Sequence, residues 1–162
     1  MPESFAEGLT DKTRSAMIGL LNARLADTIS LTLAVKQAHW NMKGKGFIAV
    51  HELMDEVAGR LRAGADEMAE RAVILGGLAE GTVEAVSKGA NIAPYPTDLT
   101  DLDKHVDALV ERYRTLGSKL RDAIRQADDA SDAGTADLFT GFSRTVDKDA
   151  WFIGANTQGA AK

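Results

Sequence analysis

The chain has 162 residues, enough for one domain with a full core, and its 44% hydrophobic and 27% charged content is that of a globular protein. It has no cysteine, which excludes disulfides, thiolate metal sites and a cysteine nucleophile and fits a reducing cytoplasm. A net charge of -5 disfavours a polyanionic partner.

With only 3 prolines, and glycines gathered between periodic segments, the chain reads as all-helical. The opening Met1-Pro2-Glu3-Ser4-Phe5-Ala6-Glu7 has no basic stretch followed by an apolar run, so no secretory leader is expected. No apolar run approaches the ~20 residues of a membrane span, and a cytoplasmic location is expected.

The first helix is expected from about Thr10 to Asn41, started by Thr10 and Asp11. Met17, Leu21, Leu25, Thr28 and Thr32 form its inner face, widened by Ile18, Ile29 and Leu33. Lys43-Gly44-Lys45-Gly46 breaks it. The second helix runs from about Phe47 to Leu75, with Val50, Met54, Val57, Leu61, Ala65, Met68, Ala72 and Leu75 at steps of three and four. Gly76-Gly77 ends it.

Residues 78–99 form a long connection with a short helix near Val83–Val86, and Pro94-Tyr95-Pro96 forces an extended stretch. Thr100 is the expected cap of the third long helix, with Asp103 three residues on. Leu102, Val106, Leu109, Tyr113, Leu116, Leu120 and Ile124 form its inner face. His105 falls on its exposed side as a surface residue. The fourth long helix starts near Ala133–Thr135 and buries Phe139, Phe142, Val146, Ala150 and Ile153. Short, long and short connections suit a four-helix bundle with one crossover. The whole chain reads as one domain, with residues 1–9 as an arm and 157–162 as a tail.

One constellation carries chemistry. His39 lies six residues before Lys45 and His51 six after it, so antiparallel helices joined there bring the two imidazoles to one level. Asp66 and Glu70 are an i,i+4 pair, and Asp55 lies four residues after His51. His51, Asp55, Asp66 and Glu70 fall within about 100° of arc on one helix. Imidazole and carboxylate together suit a transition metal.

His51 and Asp66, however, are about 22 Å apart along that helix, against metal–ligand bonds of about 2 Å. A single chain cannot close such a site, whereas two copies about a two-fold axis form two equivalent ones. The same residues also suit a hydrogen-bonded core histidine and solvated carboxylates. The Glu-x-x-His motif of an intrachain di-iron site is absent.

Ala38-His39-Trp40-Asn41-Met42-Lys43-Gly44, Phe47-Ile48-Ala49-Val50-His51-Glu52 and Asp66-Glu67-Met68-Ala69-Glu70-Arg71-Ala72 resemble the signature of the Dps mini-ferritins (DNA-binding proteins from starved cells). Tyr95-Pro96 and Asp147-Lys148-Asp149-Ala150-Trp151-Phe152-Ile153 are similar to the same family, and the resemblance spans about Thr10 to Asn156. It implies a ferritin-like bundle, a hollow dodecameric shell, and ferroxidase sites between two-fold-related subunits. There His39, His51, Asp66 and Glu70 bind iron, with Asp55 nearby. It further implies Fe(II) oxidation by hydrogen peroxide, storage of ferric oxide, and protection of DNA by suppressing hydroxyl radical. Trp40 either intercepts stray oxidising equivalents or packs at the dimer interface.

By the same resemblance, the acidic residues Asp128, Asp129, Asp132 and Asp137 are candidates for a pore that attracts Fe(II), Asp137 foremost. The alternative is a solvated loop with capping aspartates. A second function, nucleoid DNA binding and compaction, rests on the family alone. Family members that bind DNA usually carry a mobile lysine-rich terminal tail. Residues 1–15 hold only Lys12 and Arg14 against Glu3, Glu7 and Asp11, and after Phe152 only Lys162 is basic. DNA binding is therefore expected to be weak or absent.

Overall fold

Thr10 starts α1 (Asp11–Asn41): its hydroxyl oxygen accepts from the Thr13 amide at 3.1 Å, satisfying one of the free donors of the first turn. The computed structural model describes residues 3–157 and adds α2 (Phe47–Ile74), α3 (Val83–Gly89), α4 (Leu102–Asp129) and α5 (Ala133–Gly154). No strand occurs among the described residues, and all of the expected tail but Thr157 lies outside them. α1 pairs along its length with α2, and α4 with α5. Contacts of α1 with α4 and of α2 with α5 close a four-helix bundle, and α3 packs on α1 within the crossover.

The inner faces follow the 3–4 spacing of the sequence. All eight positions expected on α2, from Val50 to Leu75, are buried, and Tyr113 and Phe139 are completely enclosed. Thr28 and Thr32 stay inside because each hydroxyl bonds a carbonyl one turn earlier, Arg24 O and Thr28 O, at 2.8 Å. Leu33 instead faces outward, 60% exposed, and Ile124 and Ala150 are only partly buried. Gly64 lets α2 approach α5: a Cβ there would lie 2.1 Å from the Phe142 ring.

α2 ends at Gly76, whose φ of 86° only glycine adopts freely. Gly76 and Gly77 return their amides to Val73 O and Ala72 O. At α4 the cap is Asp101, not Thr100: the Asp101 carboxylate takes the Lys104 amide at 3.0 Å. Thr100 is committed elsewhere. Its carbonyl accepts from Lys43 N at 2.7 Å, and Lys43 O accepts from Leu102 N at 3.0 Å. These two bonds tie the α1–α2 turn to the start of α4.

His105 is the second correction. It is 1% exposed, because the extended crossover lies over that face of α4. Its Nε2 donates to Leu99 O at 3.0 Å, and Nδ1 accepts from the Tyr95 hydroxyl at 2.7 Å. Arg112 stacks 5.0 Å from the Tyr95 ring and donates to the carbonyls of Ala93, Pro94 and Ala108. Burial pushes the Tyr95 phenol up to about 12, against the pull of Arg112. Asp27, buried on α1, accepts from the Asn91 amide at 2.6 Å and pairs with Arg24.

The expectation of no membrane-length apolar run also needs correction. α1 is long and apolar enough to cross a membrane by length and composition, yet half of that stretch is buried inside the bundle, as in a core helix.

Candidate metal centre

Gly46, with φ of 81°, turns the chain into α2 and sets His51 opposite His39. The two rings stack with centroids 3.7 Å apart and planes 16° from parallel. His39 is buried and His51 half-buried. Each Nδ1 lies 2.9 Å from the other residue's backbone carbonyl. A carbonyl only accepts, so both Nδ1 atoms carry the proton. In each neutral ring the lone pair is then on Nε2, turned away from the backbone. Backbone carbonyls of this kind fix the tautomer and orientation of metal-binding imidazoles.

Asp55 joins this end of the site. Its Oδ2 lies 3.7 Å from His39 Nε2 and its other oxygen pairs with Lys36. The hydrogen bond from Lys36 holds the Asp55 carboxyl below the usual carboxylate range, with His39 and His51 assisting. The Lys36 ammonium also sits 5.6 Å from the ring of Trp40, which is 68% exposed.

Asp66 and Glu70 lie three to four turns further along α2 and are exposed. Asp66 borders an open, mostly apolar groove of about 550 Å³ along α1 and α2, lined also by Leu25, Ile29, Leu33 and Lys36. The imidazole pair and the carboxylate pair do not meet in one chain. Among the described residues, no three His, Asp or Glu side chains converge as a metal site.

At the turn between α4 and α5, Asp128, Asp129 and Asp137 are exposed. Asp132 is not available in the same way. It caps α5 by accepting the Thr135 amide at 3.0 Å and hydroxyl at 2.6 Å, and pairs with Arg71 at 2.8 Å. Burial favours the neutral acid, but Thr135 and Arg71 outweigh it and hold the Asp132 carboxyl low.

With this geometry, likeness to known proteins decides the family. The ferritin-like domain family matches residues 18–160. The "DNA protection during starvation protein" of Agrobacterium fabrum is 47% identical over 150 residues, 93% of each chain. The chain belongs to the Dps family of ferritin-like proteins. Among solved Dps structures, the tetragonal form from Mycobacterium smegmatis superposes with a TM-score of 0.92 at 32% identity, covering 98% of this chain and 97% of that one. Dps from Microbacterium arborescens in the high iron form gives 0.84 at 31% identity, covering 90% and 95%. The five helices and their order are thus those of a Dps subunit.

Proposed function

We propose that this protein oxidises Fe(II), with hydrogen peroxide as oxidant, at sites shared between two-fold-related subunits, and stores the ferric product inside a dodecameric shell. The observation that carries the reading is the orientation of His39 and His51, each locked by the other's carbonyl with Nε2 left to bind iron. Asp66 and Glu70 of a second copy complete the ligand set, with Asp55 beside the imidazoles. The groove next to Asp66 is where that copy seats. Support also comes from the relative named for DNA protection during starvation and from the structural neighbour in a high iron form.

Iron is substrate and cargo here. Few protein ligands leave positions open for water or peroxide, as a reactive site requires. Ferrous iron and peroxide left in solution release hydroxyl radical by one-electron steps, and a paired site draws two electrons together. Lys36 and Asp55 set the local charge, and Trp40 is an exposed, oxidisable ring at the rim. DNA is then protected by removal of iron and peroxide, in a cytoplasmic protein. The test is a stopped-flow measurement of Fe(II) oxidation by peroxide, with and without Asp66→Asn plus Glu70→Gln. A rate unaffected by that change overturns the ligand assignment.

A further inference from the structure

The interior of the bundle contains a second polar cluster, away from the metal centre. Arg60 on α2 donates from Nε to Asp149 Oδ1 on α5 at 2.8 Å. Asp149 and Tyr113 are both completely buried. Among the described residues, only four buried side-chain polar atoms lack a hydrogen-bond partner, and three of them belong to this group: Arg60 Nη2, the Tyr113 hydroxyl and Asp149 Oδ2. Natural interiors rarely leave such atoms unpaired, so two on one ion pair and a third on the tyrosine beside it mark a place where something else binds. We propose that a water molecule is bound inside the bundle between α2, α4 and α5, bridging Arg60 Nη2, the Tyr113 hydroxyl and Asp149 Oδ2.

The chemistry of the three atoms selects the ligand. A metal cation meets a guanidinium and a single carboxylate already bonded through one oxygen. An anion meets the Asp149 carboxylate. An apolar group leaves all three atoms unsatisfied. A neutral molecule that accepts from Arg60 and Tyr113 and donates to Asp149 satisfies every one, and buried waters typically make about three such bonds. Burial, with the charge of Asp149, holds the Tyr113 phenol well above its usual range, so it stays a donor. Burial also pushes the Asp149 carboxyl up, despite Arg60 and Lys148 and with Glu56 adding to the rise. A water donating to Oδ2 restores part of the solvation that burial removed.

The outer end of the cluster is closed by Arg60, whose Nη1 reaches Glu56 at 3.6 Å at the surface. Arg60 lies between His51 and Asp66 in sequence but on the opposite flank of α2. The water therefore ties the middle of the helix that carries His51, Asp66 and Glu70 to the α4–α5 pair.

A high-resolution crystal structure of the assembled wild-type protein tests this directly. The expected result is a solvent peak ~2.6–3.2 Å from all three atoms. Empty density, with the Tyr113 hydroxyl bonded straight to Asp149, overturns the proposal. So does anomalous signal at that point after a bromide soak, which makes it an anion site. In Tyr113→Phe the peak should persist on its two remaining partners. In solution, oxygen-17 relaxation dispersion should count one fewer long-lived water per chain in Arg60→Met/Tyr113→Phe/Asp149→Leu than in wild type. An unchanged count also overturns it.

Discussion

His39 and His51 hold each other in place through their backbones: each ring bonds the carbonyl of the other residue at 2.9 Å, and the rings stack 3.7 Å apart. The arrangement is self-contained, needing only the α1–α2 turn, which the Lys43 backbone fastens to Thr100 and Leu102. The imidazoles are thus oriented by the fold alone, which would lower the ordering cost of binding the proposed iron.

Replacing both histidines by alanine should slow peroxide-dependent Fe(II) oxidation by at least about tenfold, the range seen when groups that orient or bind a metal are lost. The helices should survive, because the ring bonds are side-chain bonds and the backbone ladders of α1 and α2 do not depend on them. Circular dichroism checks the fold and stopped-flow absorbance the rate. Wild-type kinetics in a folded double variant would remove these residues from the site.

Complementation tests the shared site. A chain carrying His39→Ala/His51→Ala lacks one half-site, and a chain carrying Asp66→Asn/Glu70→Gln lacks the other. In a two-fold dimer of one of each, one site has both halves intact and the other has neither. Random co-assembly therefore restores about one quarter of sites, while each variant alone stays inactive. Light scattering should give roughly twelve times the 17.3 kDa chain mass. No recovery in mixed shells would show that each chain supplies its own ligands.

Periodicity made the long helices legible because their inner faces are nearly all apolar, and the six-residue symmetry about Lys45 correctly placed His39 beside His51. The buried polar anchors escaped it. His105 sits on a face that α4 alone would expose, and only the extended crossover over it turns that face inward. Nothing in the local sequence marks Asp27, Arg60 or Asp149 as buried anchors, since the Asn91 amide lies 64 residues from Asp27 and Arg60 lies 89 from Asp149. Asp101 displaced Thr100 as a cap because the Thr100 backbone is held by Lys43, a pairing no local pattern encodes.

Gly64→Ala should destabilise the subunit by about 1–3 kcal/mol, as overpacking does. The added Cβ would lie 2.1 Å from Phe142, so the ring must move or α2 and α5 must part. Denaturant unfolding measures the loss. Adding Phe142→Leu should recover part of it, and the absence of any cost in Gly64→Ala would contradict this packing.

His105 gives a pH dependence of defined sign. Burial disfavours its charged form and lowers its pKa, against the bond to the Leu99 carbonyl. The unfolded chain therefore takes up the proton first as pH falls. The stability this group contributes is full above about pH 6.5 and is lost as pH drops through the lower folded value. In His105→Asn the denaturation midpoint should vary less with pH over that interval. Equal slopes for the two proteins would show that His105 does not titrate with unfolding.

The last prediction concerns DNA. Nonspecific affinity grows with the number of phosphates that Lys and Arg neutralise. The first fifteen residues offer Lys12 and Arg14 against Glu3, Glu7 and Asp11, and Arg14 is already paired with Asp11. That leaves almost no mobile positive charge for a backbone to engage. In the proposed dodecamer, twelve chains of -5 would give a shell of about -60 before any iron enters, repelling a polyanion over a Debye length of ~8 Å at physiological salt. Lys43 and Lys45 form a local basic spot, but the Lys43 backbone is fixed against α4, and two lysines cannot offset the field. A plasmid gel shift at about 150 mM salt and neutral pH should therefore show no retardation at micromolar protein, whereas radical-induced nicking by Fe(II) and peroxide should still be suppressed. Retardation that disappears on deleting residues 1–10 would show that the arm binds DNA despite its charge, and chemical protection would then not be the whole of the function.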